Sequence, residues 1–328
     1  MSAFRTPICD LLDIQYPIFQ AGMGWIARAD LAAAVSEAGG LGCIGAGSSM
    51  DAEELRDEIQ RVKAQTNRPF GVDILFATVA PKVNEAVRYT DKVAAMVDVV
   101  FEEKVPVLVS GLGSPKGVVP EAKKRGITVM SVVGAVRHAQ KAVADGVDVI
   151  IATGSDGGGH VGVIGTAALL PAVVDAVDVP VLAGGGLANG RGLIAAMAFG
   201  AQGVWMGTRF IASKEARAHD NYKNKIVETD TAGTLITRAH SGKTCRLIRN
   251  AFTEKWSGRE AEIEPYPLQA MNVGHPASLI GRIEGDVENG VLPAGQSSGL
   301  IDDVLSANDI VQSIVAEAQS ALSNLPAR

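Results

Sequence analysis

One rhythm runs through the first two thirds of the chain and limits what it can fold into. A short, mostly apolar, β-branched run is followed by a glycine-rich turn and then an amphipathic stretch, eight times over. The runs are Pro17–Gln20, Leu41–Ile44, Phe70–Phe76, Pro106–Val109, Ile127–Val132, Val147–Ala152, Val179–Ala183 and Gly203–Met206. Alternating strand and helix predicts a parallel sheet. Nearly continuous apolar strands are what a sheet covered on both faces requires. Eight such units before Glu228 match a (β/α)8 TIM barrel. An open doubly wound sheet is the rival. It is disfavoured because glycine-rich turns follow most of the runs and not only the first.

Helix signals fill the gaps. A helix is predicted over 30–38, with Asp30 as N-cap and Gly39-Gly40 as its stop. Another opens near Asp51, a third runs from Pro81 to about Val97, and a fourth covers 135–145. After Glu228 the rhythm breaks. Residues 229–298 read as a small, mainly helical domain covering the barrel mouth and choosing substrate. Residues 299–328 return to the 1–228 barrel. Their last stretch, 307–322, carries Ile310, Val311, Ile314, Val315, Ala318 and Leu322 at helical spacing.

Composition excludes several function classes. Apolar residues make up 47% of the 328, enough for a large core. The net charge of −6 comes without any Lys/Arg block, and aromatics are only 5%, so no nucleic-acid surface is expected. Cys9, Cys43 and Cys245 are far apart and in no metal-ligand spacing, which suits a reducing cytoplasm and predicts no bound metal. Asp10 and Asp13 interrupt any leader pattern. The longest uncharged stretch, 157–174, holds several glycines, His160 and Pro171, and reads as loop then helix, not as a membrane span.

Barrel enzymes carry their chemistry at the C-terminal ends of the strands. The polar and glycine residues at those ends are Gln20, Asp73, Ser110, Ser131, His160, Gly184–Gly186 and Gly207-Thr208. Gly184, Gly185 and Gly186, followed by Asn189-Gly190-Arg191 opening a helix, could present backbone N–H groups and a helix N-terminus to a phosphate. Gly207 and Thr208 at the next strand end would add donors; the bland alternative is a pair of tight turns. Gln20, Ala21, Gly22 and Met23 could let a flat ring approach closely, or simply form a βα turn. His160, in the flexible turn Asp156–Gly162, is the candidate base or donor. His219, His240 and His275 are expected to be surface or structural residues. His138 is expected to face solvent, and Cys43 to belong to the core.

With these motifs in view, the chain resembles the nitronate monooxygenase (2-nitropropane dioxygenase) family. It is also similar to the related flavin-dependent enoyl-acyl-carrier-protein reductases and NAD(P)H:quinone reductases. The matching stretches are Tyr16–Trp25, Ala34–Ile44, Arg68–Val72, Asp156–Gly162, Pro180–Gly190, Gly207–Phe210 and Gly295–Asp302. The resemblance implies non-covalent FMN, with Gln20, Ala21, Gly22 and Met23 along the flavin ring. It implies that Gly184, Gly185, Gly186, Gly207 and Thr208 hold the phosphate, and that His160 is the active-site histidine. Asp73 stands where the family often has Asn, so a carboxyl would meet the flavin only if protonated or paired. The implied reaction is oxidation of alkyl nitronates with O2 to carbonyl products and nitrite. The alternative is NAD(P)H-dependent reduction of an enoyl thioester or quinone, with NAD(P)H as candidate reductant. A non-redox phosphate-binding isomerase or lyase is the remote third. A small-molecule substrate and a homodimer are the expected partners.

Overall fold

The computed structural model describes residues 4–47, 50–76, 78–79 and 88–324. Eight parallel strands form the centre: Ile18–Gln20, Cys43–Ala46, Gly71–Leu75, Val107–Leu112, Thr128–Val133, Val149–Thr153, Val181–Gly184 and Gly203–Met206. The first strand pairs with the eighth, Phe19 opposite Trp205. It reaches the second through a parallel bridge from Phe19 to Leu41. There Leu41 N–H donates to Ile18 O at 2.9 Å, and Gln20 N–H donates to Leu41 O at 3.0 Å. These bonds close the sheet into the predicted (β/α)8 barrel.

Successive strand residues point alternately inward and outward. Phe19, Val107, Val109, Met130, Val149, Ile151, Leu182 and Trp205 fill the barrel interior. Ile18, Leu108, Val129, Ile150 and Val204 pack outward under the helices. The interior also holds a plug that the strand–helix repeat does not predict. The helix Pro7–Leu12, with Pro at its first turn, puts Ile8, Cys9 and Leu12 into the interior cluster. Cys43 is fully buried in the same cluster, as expected.

Several helix boundaries moved. Helix Ala29–Glu37 has Arg28, not Asp30, at its N-cap position and no side-chain cap. Asp30 instead sits in the first turn and pairs with Arg61 at 3.0 Å. Asp51 caps helix Ala52–Gln65 by accepting from Glu54 N–H. The predicted start at Pro81 lies outside the described residues; the helix found there is Asp91–Glu102, capped by Thr90. The final helix, Ala307–Ser323, buries Ile310, Val311, Ile314, Val315 and Ala318 against the barrel helices.

The 229–298 segment has its own small core of Ala239, Cys245, Leu247, Phe252, Ile263, Ala277 and Val291. Its helices Ala251–Trp256 and His275–Arg282 were anticipated in kind. The antiparallel pair Thr234–Thr237 and Cys245–Ile248 was not. Those four-residue runs are too short to show a period. No helix among the described residues is long and apolar enough to cross a membrane.

Candidate active site

A cavity of about 330 Å³ lies between the strand ends and the 229–298 segment. That is the size of an ordinary small-molecule site. The barrel contributes Ala21, Gly22, Met23, Asp73, Thr153, His160, Gly185, Gly186, Gly207 and Thr208. The covering segment contributes His240, Ser241, Tyr266, Met271, His275, Ser278 and Arg282.

One wall is built for an anion. Gly185 and Gly186 have φ of +89° and +73°, a backbone region that side chains disfavour. Their amides donate no hydrogen bond among the described residues. Thr166 Oγ fixes this turn by donating to Gly185 O at 3.0 Å. Asp156 carboxylate in turn accepts from Thr166 N–H at 2.6 Å. Thr208 Oγ accepts from Gly295 N–H at 2.9 Å, which draws the segment carrying Ser297 over the cradle and leaves the hydroxyl proton for a ligand. Residues 295–297 are not among the expected site residues; their signal in the sequence is the stretch Gly295–Asp302. Gly184 itself ends the seventh strand and does not line the cavity.

The helix after the seventh strand plays no part in this cradle. Asn189 caps it, as its position predicts, by accepting from Gly192 N–H at 3.1 Å. Yet Gly190 N–H, at the helix N-terminus, donates to Glu317 of the last helix at 2.8 Å. That carboxylate takes the place the sequence assigned to a phosphate.

The floor is built for a flat ring. Ala21–Gly24 run along the cavity, and a Cβ on Gly22 would lie 2.2 Å from Asp73 Cβ. Only glycine lets the loop after the first strand approach the third strand this closely. Gln20 is placed differently from its expected ring contact. It is fully buried and does not line the cavity. Its amide accepts from Cys43 N–H at 3.0 Å and donates to Cys43 O at 3.1 Å, stapling the seam between the first and second strands. Asp73 is buried at the cavity wall, and its Oδ1 has no partner among the described residues. Burial pushes its carboxyl well above the usual range, only partly offset by the Gly111 N–H. Thr153 Oγ is likewise buried, unpartnered and cavity-lining. Two orphaned polar atoms, a free-amide turn and a smooth glycine floor suit a ligand with a polar-edged flat ring and a phosphate.

His160 is held more firmly than a flexible turn would hold it. Gly159–His160 pairs antiparallel with Cys245-Arg246, so the sixth-strand loop becomes an edge of the covering sheet. His160 Nε2 lies 2.7 Å from Ser241 Oγ. Burial, then Lys243 and Arg282, lower its pKa to about 4, so it is neutral at physiological pH.

His240 and His275, expected elsewhere, line the same cavity. The rings of His240 and His160 are 5.7 Å apart. Burial, with Arg282 nearby, also lowers the pKa of both. Their positions could not be read locally, because only the fold brings residues 160, 240 and 275 together. His219 is structural, capping a helix by accepting from Asn221 N–H. Among the described residues no group of three or more His, Cys, Asp or Glu could hold a metal ion.

Residues 5–317 match the family model for nitronate monooxygenase. A curated relative from Rhodococcus jostii (strain RHA1) is 34% identical, covering 100% of this chain and 99% of its own. It is named (3aS,4S,5R,7aS)-5-hydroxy-7a-methyl-1-oxo-octahydro-1H-indene-4-carboxyl-CoA dehydrogenase. A probable nitronate monooxygenase from Staphylococcus haemolyticus is 34% identical over 81% of this chain and 84% of its own. The solved structure of FabK from Thermotoga maritima superposes with a TM-score of 0.88, at 39% identity over 98% of each chain. The ring floor and anion cradle fit a flavin, the cofactor that membership of this family points to. The chain is an oxidoreductase that belongs to the nitronate monooxygenase family.

Proposed function

We propose that the protein is an FMN-dependent nitronate monooxygenase, converting alkyl nitronates and O2 to carbonyl products and nitrite. The observation that carries the choice of FMN is the cradle of Gly185, Gly186, Gly207 and Thr208, whose donors suit one terminal phosphate. When bound, the flavin supplies the electron acceptor for the nitronate carbon.

The chain's own residues bind, orient and shield. The cradle fixes the phosphate end, and Ala21–Met23 support the ring. Burial raises the pKa of Asp73, which favours the uncharged carboxyl that can face the ring without opposing negative charge on it. The covering segment keeps water from the reacting face. His160 is neutral, so it can take the proton α to the nitro group when the substrate arrives as the neutral nitroalkane. A nitronate has already lost that proton and needs only to be oriented.

A second reading is favoured by one observation. The Rhodococcus relative is named for a CoA thioester and matches the whole chain. That name supports a thioester substrate only; NAD(P)H-dependent reduction of an enoyl thioester is the form of that reading set beside nitronate oxidation. Anaerobic mixing separates the two. Bleaching of the bound flavin by propane-2-nitronate, with slow or absent bleaching by NADH and NADPH, is the expected result. Rapid bleaching by a nicotinamide, with none by the nitronate, replaces the first reading with the second.

A further inference from the structure

Arg282 closes the helix His275–Arg282 and lines the cavity from the covering side. It is 8% exposed. Its Nε donates to Val291 O at 3.2 Å and its Nη1 to Gly24 O at 3.4 Å. Both acceptors are neutral, and no carboxylate among the described residues lies within ion-pairing range.

The other buried arginines are treated differently. Arg28 pairs with Glu54 at 3.0 Å, and Arg209 with Asp303 at 3.0 Å. Arg246, like Arg282, bonds only neutral acceptors, Ser155 O and Thr234 Oγ, but has the charge of Asp156 nearby. Arg282 instead faces the imidazoles of His160, His240 and His275, with Lys243 near the first, and the Tyr222 phenol and Cys245 thiol, whose pKa values burial raises. The one carboxyl among the cavity-lining residues is Asp73, whose pKa burial raises and which makes no ion pair with Arg282. A buried guanidinium without a counter-charge is costly, and a planar fork is matched to a planar oxyanion.

We propose that Arg282 is the anion-binding residue of this cavity, taking the negative head of the substrate, a planar oxyanion of nitronate or carboxylate type, on the side facing the barrel's cofactor wall. The proposal rests on the reading that the cavity is a flavoenzyme's substrate site. The anion is assigned to the substrate because the cofactor's phosphate already has its own cradle on the barrel, while Arg282 belongs to the cover.

The test uses the FMN-loaded protein and nitrate, a planar oxyanion that cannot be oxidised. Its Kd is read from the change it causes in the flavin absorbance. Arg282→Met is expected to weaken nitrate about tenfold or more while retaining the bound flavin. Arg282→Lys, which keeps charge but loses the fork, is expected to fall between the two. If the Met variant yields no folded holoprotein, the Lys variant decides alone: nitrate affinity equal to wild type overturns the proposal. Unchanged nitrate affinity in a folded Met variant also overturns it. So does a shift in the flavin's reduction potential with nitrate affinity intact, which would set the guanidinium against the cofactor. Nitrate bound through Arg282 in a protein that oxidises no nitronate leaves the anion site standing and removes the nitronate reading. Nitronate turnover indifferent to Arg282 does the reverse.

Discussion

At the scale of single residues, burial shifts His160 and Asp73 in opposite directions, each toward its uncharged form. For His160 the expected consequence is kinetic. His160→Ala should keep its flavin spectrum and slow turnover of a neutral nitroalkane by roughly 10²-fold or more, with a smaller loss on the preformed nitronate. Steady-state kinetics on the two substrates check this, and equal losses on both would move His160 from proton transfer to positioning. For Asp73 the consequence is thermodynamic. A carboxyl whose folded pKa is raised contributes stability below its unfolded pKa and loses it as pH rises through the folded value. Asp73→Asn should therefore be more stable than wild type near pH 8, with the advantage shrinking as pH falls toward the ordinary carboxyl range. Denaturant midpoints of the flavin-free proteins at both ends of that window check it. His160, at strand six with glycines before it, was legible in the sequence as a site residue. Its partner Ser241 was not, because the contact joins residues 81 positions apart.

At the scale of elements, the cradle and the helix beside it look continuous in sequence and are separate in function. Gly185-Gly186 is a turn with unused amides. The helix Gly190–Ala198 spends its N-terminus on Glu317. Two variants should therefore part company. Gly186→Ala forces a side chain to φ +73°, costing about 1–2 kcal/mol, and should weaken FMN binding as well. Glu317→Ala removes an anchor at a helix end, costing about 0.5–2 kcal/mol, and should leave FMN affinity unchanged. Thermal transitions of the flavin-free proteins and FMN titrations test both halves. The glycine turn was legible because turn chemistry is local. The occupied helix end was not, since its partner lies 127 residues away. Gln20 was misplaced for a related reason: a polar residue at a strand end reads as a site residue, whereas barrel closure gives it the neighbouring strand's backbone to bond.

At the scale of the whole molecule, barrel and cover depend on each other through the site. All eight strands could be read because each is a run buried on both faces, and the period of strand and helix is a global property of the chain. The plugging helix Pro7–Leu12 and the hairpin over 234–248 escaped notice. They are too short to carry a period, and they gain stability from packing against the barrel and its loops. The central claim is that the cradle at the seventh and eighth strands grips a phosphate and so sets a flavin beneath the covering histidines. Titration of the flavin-free protein with FMN and with riboflavin tests this most directly, because the two ligands differ only in that phosphate. The account predicts that FMN binds more tightly by about 100-fold or more, as several charge-assisted hydrogen bonds require, and that Gly186→Ala abolishes most of the difference. Equal affinity for the two ligands would contradict it.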